Sequence, residues 1–394
     1  QGFTVAQSQL IPAELFQTKS NPMEGADKLK VLHLVGDHED AGGVLSVIRN
    51  LQAVTPSGEM DHCVWVKEGY SETRKPSLEY RYSQSVVAES TNHFKLFVQA
   101  LPAYGDLKRL LKEEPFDVIH AHSRGTLLIA ILAARFLNRP VAFTNHNYAR
   151  RLGLYQWAAK QPNMHTVVLT PNMARHYGLS EEMPRLNIIS ACYSAALLDE
   201  DLVQRSPSGS DTPVRLIGVG NVIGWKKWDL IVKAMQLLPE KDRVRIQCDI
   251  WGPTLDLPES KSFDQSLRAL IKEAGVENQF HLKGPTTDVK SKLKESDWFV
   301  LPSTNEPCSV ALMEALAMGL PALVSESGGN VDLVHTGCGL HFKPDTPESL
   351  AEQLKSILNG AFCPLSPEQI RDSIRMRSGT VVYQAYRELY QNLN

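Results

Sequence analysis

No stretch of the chain approaches the roughly 20 consecutive apolar residues that a membrane-spanning helix needs. Net charge is also small, −3 over 394 residues. The first absence argues against an integral membrane protein. The second removes a whole-molecule pull toward nucleic acid or an acidic lipid surface. Cysteine is sparse: Cys63, Cys192, Cys248, Cys308, Cys338 and Cys363 stand far apart, most of them in apolar text. Neither a disulfide framework nor a zinc ribbon fits that spacing, which suits reduced core residues in a cytoplasmic protein. There is no HExxH helix and no HxHxD pattern to support a zinc centre. No internal repeat or low-complexity tract is present. Residues 1–27 lack both a period and the basic start and apolar centre of a secretion signal. They are expected to be an extension, or a remnant of expression, outside the fold.

What remains is ordinary globular text, 43% hydrophobic and 22% charged, in a length suited to two domains. From Lys30 onward short apolar runs alternate with helical patterns. KVLHLVG, HCVWV, Phe116–His120, Val141–Thr144 and Thr166–Leu169 read as buried strands. Gly43–Val54 and Thr126–Leu137 read as helices between them. Gln204–Pro213, rich in Ser, Pro, Gly and Asp, reads as a linker centred on 206–213. The alternation then restarts with VRLIGVG, VRIQCDIWG, FHLKG, WFVLPS and PALVSE. The expected architecture is α/β: two Rossmann-like, doubly wound parallel-sheet domains, 28–205 and 214–375, facing each other across a cleft. Ligands of such sheets bind beyond the carboxyl ends of the strands, which here means in the cleft. A last helix, within 376–394, carries Val382, Tyr386, Leu389 and Tyr390 and is expected to pack back on the first domain.

The most informative segment is Leu301–Val334, LPSTNEPCSVALMEALAMGLPALVSESGGNVDLV. A strand ends at Pro302, a polar loop holds Glu306, and a helix runs from near Ser309 to Gly319, with Pro321 just beyond. Glu314 stands alone on that helix among Val310, Ala311, Leu312, Met313, Ala315, Leu316 and Met318. A solvated stripe would carry more polar residues. Glu314 is therefore expected to be half-buried and to need polar partners, for which sugar hydroxyls are suited. The start of the helix, Pro307, Cys308, Ser309 and Val310, offers free N–H groups and the positive dipole end to an anion such as a diphosphate.

Glu306 and Glu314 eight positions apart, the Ala-Met-Gly-Leu-Pro stop and the pair Gly328–Gly329 resemble the glutamate-pair signature of retaining family 4 glycosyltransferases, which have the GT-B fold. The resemblance runs from about Lys30 to about Leu358. It implies that Glu314 holds the nucleotide ribose and that Glu306 contacts donor-sugar hydroxyls. Gly328–Gly329 with Asp332 resembles the family's Gly-Gly...Glu stretch, with Asp in place of Glu. In GVGNVIGWKK (Gly218–Lys227), Lys226 matches the family's diphosphate-binding lysine, while Asn221 replaces its arginine. That exchange removes a charge where phosphate contacts are strongest. Lys227 is a possible substitute. On their own, Lys226 and Lys227 read equally as the opening of a solvated helix; beside the glutamate pair, phosphate contact is favoured for Lys226.

Gly42–Gly43 sits between the first strand and its helix, where the family has a glycine pair facing acceptor and leaving phosphate. Three histidines end two strands: His120 and His122 in IHAHS, His146 in TNHN. His146 matches a family histidine that hydrogen-bonds the donor sugar or phosphate. His122 is expected on the acceptor side, and His120 is expected in the core. IWGP, with Pro253, and HLKG resemble strand ends near the nucleobase, with Pro285–Asp288 close by and Trp225 and Trp251 available for stacking.

The implied activity is transfer of a sugar from a UDP- or GDP-sugar to a hydroxyl of a glycan, lipid or small molecule, without metal or cofactor. His146, Lys226 and Glu306 are the expected catalytic group. Acceptor contacts are expected in Tyr70–Thr91 and Tyr148–Gln161. The basic and aromatic run Arg150–Lys160 suits weak peripheral contact at the inner face of a membrane, though more often such text is an ordinary helix. Two other functions remain open: a UDP-sugar epimerase of the same architecture, and an inactive nucleotide-sugar binder, for which Asn221 is the best argument.

Overall fold

A computed structural model describes residues 28–36, 40, 42–85, 93–180, 182–204 and 212–393. The expected extension 1–27, most of Asp37–Ala41, and linker residues 206–211 lie outside the described residues.

The first domain is a seven-stranded, all-parallel sheet: β1 (Leu29–Leu34), β2 (Met60–Lys67), β3 (Glu79–Ser83), β4 (Val118–Ala121), β5 (Val141–Asn145), β6 (Met164–Val168) and β7 (Leu186–Ile188). Their order is β3-β2-β1-β4-β5-β6-β7. Helices α1 (Gly43–Val54), α2 (His93–Glu113), α3 (Arg124–Phe136), α4 (Gly153–Ala159) and α5 (Pro171–His176) connect them. The sheet forms because its strands are nearly continuous apolar runs; Val31, Leu32, Leu34, Val118 and Ile119 are fully buried. Only a parallel sheet clad by helices hides both faces of such strands. Helix α1 turns Leu45, Val47, Ile48 and Leu51 inward.

The second domain repeats the plan with six parallel strands: β8 (Val214–Val219), β9 (Ile246–Trp251), β10 (Phe280–Gly284), β11 (Trp298–Leu301), β12 (Ala322–Ser325) and β13 (Gly339–Phe342). Their order is β10-β9-β8-β11-β12-β13. Its helices are α6 (Trp228–Gln236), α7 (Glu240–Arg243), α8 (Pro258–Glu273), α9 (Val289–Lys294), α10 (Val310–Ala317), α11 (Asn330–Leu333), α12 (Pro347–Leu358) and α13 (Pro367–Ile374). Strand order reverses between β1 and β4 in one sheet and between β8 and β11 in the other. A crevice opens at such reversals, beyond the carboxyl ends of the strands.

The last helix, α14 (Gly379–Gln391), lies on the first domain against α1. Position 376 falls inside a short 3₁₀ turn, Arg375–Arg377, that precedes it. Three tyrosines dock the helix. Tyr390 Oη meets His120 Nδ1 at 2.6 Å, Tyr386 Oη meets Thr144 Oγ1 at 3.2 Å, and Tyr383 donates to Glu59 at 2.7 Å.

Loops at the carboxyl ends of the two sheets touch. Asn172, at the start of α5, donates through Nδ2 to the Gly328 carbonyl at 2.8 Å. Its backbone N–H reaches Asp332 Oδ2 at 3.1 Å. Arg377 bridges the halves, donating to Ser190 Oγ at 2.7 Å and to the Asp332 carbonyl at 3.2 Å.

Candidate active site

Two loops of the second domain build the centre, one after β8 and one after β11, at that sheet's reversal point. The first passes Gly220 and Asn221 and enters a 3₁₀ turn, Gly224–Lys226. This turn swings Lys226 inward, and the ammonium ends 2.7 Å from Glu306 Oε2, with each side chain only 9% exposed. Lys226 is thus no solvated helix opener. Its Nζ also lies 4.4 Å from the ring centroid of Trp225, which is itself 43% exposed. Lys227 does not stand in for the missing arginine. It adopts a left-handed conformation with φ 58° and turns to Asp345, 2.9 Å away. Asn221 accepts the indole N–H of Trp228 with its carbonyl, at 3.1 Å, and its side chain is half-exposed. Pro253, in the loop two residues past β9, accepts the Val222 N–H at 2.9 Å and so ties the β8 and β9 loops together.

The second loop leads into α10. Ser309 caps that helix, accepting from Leu312 N–H at 3.2 Å, so the N–H groups at the very start remain for a ligand. Cys308 is buried, with Sγ 3.5 Å from Ser190 Oγ, and burial raises its thiol pKa. It therefore contributes backbone and packing rather than a thiolate. One helical turn into α10, Glu314 is half-buried, and its carboxyl makes no hydrogen bond among the described residues. Burial without a partner pushes its pKa up to about 7. An unsatisfied carboxyl in such a position is energetically poor by itself and apt for hydroxyl partners.

The pair Gly328–Gly329 has a steric cause. A Cβ on Gly329 would lie 2.1 Å from the Pro307 carbonyl oxygen, and one on Gly328 2.5 Å from the Glu306 carbonyl. Gly329 N–H donates to Glu306 O at 2.7 Å. The glycines let one backbone press on another and so hold Glu306 and the start of α10 in place. Asp332, the acidic residue that follows this glycine pair, is turned to the first domain, toward Asn172 and, at 4.0 Å, Arg175.

The first domain brings its own loops. Gly42, with φ 86°, is the N-cap of α1, and a Cβ on Gly43 would lie 3.9 Å from Val310. The start of α1 therefore faces the start of α10. His146, just past β5, is half-buried, and burial lowers its pKa to about 4. Its Nε2 lies 3.2 Å from His122 Nδ1. His122 does not face an acceptor: it is buried behind His146, and its other nitrogen, Nε2, meets His33 Nδ1 at 2.9 Å. His33 Nε2 continues to His62 Nδ1 at 2.9 Å. His120 is a core residue bonded to Tyr390 and Thr144. The rings of His33, His120 and His122 lie close enough to suggest a metal cluster. All six of their ring nitrogens, however, are already engaged in hydrogen bonds.

Other expectations resolve as follows. Asp288 caps α9, accepting from Ser291 N–H. Trp251 lines a groove of about 420 Å³ with Arg215, Asp249, His281 and Lys283, and Lys292 lies 5.6 Å from its ring. Within Arg150–Lys160 the residues Gly153–Ala159 form α4, whose Tyr155, Ala158 and Ala159 are buried while Trp157 is exposed. No helix among the described residues is long and apolar enough to cross a membrane. Asn172, Arg377, His33 and His62 were not singled out by sequence, because their roles arise only through tertiary contacts.

Two facing Rossmann-like domains, with an anion-ready helix start and paired carboxyls at the reversal point, define a glycosyltransferase of the GT-B class. Comparison with known families agrees. Residues 41–177 match the model for Glycosyltransferase Family 4, and residues 201–375 match that for Glycosyl transferases group 1. The chain belongs to this family. It is 24% identical over 299 residues, 68% of this chain and 72% of the other, to a 2-deoxystreptamine N-acetyl-D-glucosaminyltransferase of Niallia circulans. It is also 24% identical over 257 residues, 58% of this chain and 62% of the other, to an Escherichia coli UDP-Gal:alpha-D-GlcNAc-diphosphoundecaprenol alpha-1,3-galactosyltransferase. Among solved structures, Anabaena HepE in complex with UDP-glucose superimposes with a TM-score of 0.68 at 15% identity, covering 93% of this chain and 100% of that one.

Proposed function

We propose that this glycosyltransferase moves a hexose from a nucleoside diphosphate to a hydroxyl of a glycan, lipid or small molecule with retention of anomeric configuration, in polysaccharide or glycoconjugate synthesis. The observation that carries the reading is the buried Lys226–Glu306 pair beside the start of α10, with Glu314 one turn further on. As the glycosidic bond breaks, negative charge collects on the leaving diphosphate. Lys226 and the free N–H groups at Ser309–Val310 meet that charge with groups already in position. Glu314 accepts hydroxyls of the ribose, and Glu306 those of the sugar. Retention follows from the likeness of this glutamate pair to the family's signature. The leaving phosphate takes the acceptor proton, so no protein base is required. Lys226 and α10 supply the positive field, and the reaction accordingly runs without a metal or cofactor. Six free cysteines, five of them buried, suit a cytoplasmic setting.

Of the proteins named above, the Escherichia coli enzyme is named for a UDP-Gal donor and HepE holds UDP-glucose, while the two transferases are named for 2-deoxystreptamine and for a GlcNAc-diphosphoundecaprenol. That range supports a UDP-sugar donor first and leaves the acceptor class broad. A thermal-shift panel of UDP, GDP, ADP and their sugars identifies the donor, since a ligand at 100 times its Kd adds about 2.7 kcal/mol. The preferred donor with candidate acceptors should then release nucleotide only when an acceptor is present, give product of unchanged anomeric configuration, and resist EDTA. Conversion of the sugar nucleotide without acceptor would mean an epimerase; inversion in the product would refute retention.

A further inference from the structure

His146 belongs to an unbroken series of hydrogen-bonded side chains that runs into the first domain. His146 Nε2 meets His122 Nδ1 at 3.2 Å, His122 Nε2 meets His33 Nδ1 at 2.9 Å, and His33 Nε2 meets His62 Nδ1 at 2.9 Å. His62 Nε2 then meets Thr55 Oγ1 at 3.2 Å. The far end fixes the direction of every bond. Thr55 has one hydroxyl proton, and it is donated to the Leu51 carbonyl at 2.8 Å. Toward His62 the hydroxyl can only accept, so His62 carries its proton on Nε2. A neutral imidazole has one donor and one acceptor nitrogen. His62 Nδ1 must therefore accept from His33 Nε2–H, His33 Nδ1 from His122 Nε2–H, and His122 Nδ1 from His146 Nε2–H. Burial lowers the pKa of all four rings, which keeps them neutral and the order intact.

We propose that Thr55, His62, His33 and His122 act as positioning residues that lock His146 in its Nε2–H tautomer, so that its Nδ1 offers a lone pair to a hydroxyl of the donor sugar. Of the eight ring nitrogens in the series, His146 Nδ1 is the one without a hydrogen-bond partner among the described residues. A lone pair accepts from a hydroxyl and is repelled by a phosphate oxygen. The tautomer thus assigns His146 to the sugar and leaves the diphosphate to Lys226 and α10. Naming the sugar as its partner rests on the glycosyltransferase reading; the tautomer itself does not.

The test has two arms. In the full chain labelled with ¹⁵N-histidine, long-range ¹H–¹⁵N correlation reports each ring's tautomer, and H146Q identifies the His146 signals. The expected pattern is a protonated, pyrrole-like Nε2 and a pyridine-like Nδ1. T55V removes the anchoring acceptor and should convert that single pattern into a tautomer mixture. A wild-type His146 protonated on Nδ1, or no change in folded T55V, overturns the lock. So does a stoichiometric bound metal in the purified protein, since an ion would consume the lone pairs. In the second arm, H146A should weaken UDP-glucose binding about tenfold and leave UDP binding unchanged, with GDP-mannose and GDP as the pair if the protein prefers guanine. Equal losses for sugar nucleotide and free nucleotide overturn the sugar assignment. Failure to bind any nucleotide sinks the glycosyltransferase reading while the spectra still decide the tautomer.

Discussion

Nζ of Lys226 sits 2.7 Å from Oε2 of Glu306, and the two side chains bury each other. A buried ion pair is costly to break from one side, because the survivor is left charged and unpartnered, at about 3–5 kcal/mol. Lys226→Ala should therefore lower stability and also lose leaving-group stabilisation, at about 2–4 kcal/mol of activation energy by analogy with removed oxyanion donors. The double variant K226A/E306A should recover much of the stability lost by either single variant and remain inactive. Denaturant melts and single-turnover rates on all three separate the two roles; an active K226A would remove Lys226 from catalysis.

Glu314 should couple nucleotide binding to pH. Its folded pKa of about 7 lies above the ordinary 4.5, so the folded chain holds this proton between those values while the unfolded chain releases it. The contribution to stability is therefore full below about 4.5 and lost as pH rises through about 7. Glu314→Gln should raise Tm relative to wild type at pH 8 more than at pH 5. Ribose hydroxyls favour the ionised carboxylate, so UDP should bind wild type more tightly at pH 8 than at pH 6. The variant should lose that dependence and roughly ten- to hundredfold in affinity, from about 1.5–3 kcal/mol of charge-assisted hydrogen bonding. Calorimetric titration showing a flat pH profile for wild type would contradict the role.

Asn221 leaves a gap in charge that Lys227, held by Asp345, does not fill. Asn221→Arg should tighten nucleoside diphosphate binding about tenfold through one more charge-assisted contact. Titration with UDP checks it, and no gain would mean that the diphosphate lies out of reach of this position.

Gly329→Ala places a methyl 2.1 Å from the Pro307 carbonyl oxygen, nearer than any real contact. The 306–310 loop must yield, at about 1–3 kcal/mol as for other overpacked sites. Both Tm and donor affinity should fall, whereas alanine at exposed Gly58, whose positive φ alone is the strain, should lower Tm without altering donor affinity.

The sequence made the architecture legible where strands are buried on both faces, because continuous apolar runs have few other uses. Helix α1 was bounded correctly at Gly43 and Val54. It failed at β3, an edge strand reading EYRYS with polar residues on one face, and at α2, where Pro102 and Gly105 interrupt an otherwise helical text. In the site, Glu314 announced itself as a lone carboxylate on an apolar helix. Lys226 could be placed only with help from its neighbours' resemblance to a family pattern, since its inward swing depends on a 3₁₀ turn. His33, His62 and the turn of Asp332 to Asn172 had no local signal at all. His33 meets His62 across 29 positions and Asp332 meets Asn172 across 160, and only the folded chain brings them together.

The polypeptide passes between its two halves twice, once after Tyr193 and again just before α14. Those two passages are stitched side by side. Tyr193 N–H donates to the Arg377 carbonyl, and Gly379 N–H donates to the Tyr193 carbonyl at 2.9 Å. A body joined along neighbouring parallel lines behaves as a door on a double hinge. Swinging about that seam remains permitted, while sliding or free twisting of one half past the other would tear the stitches.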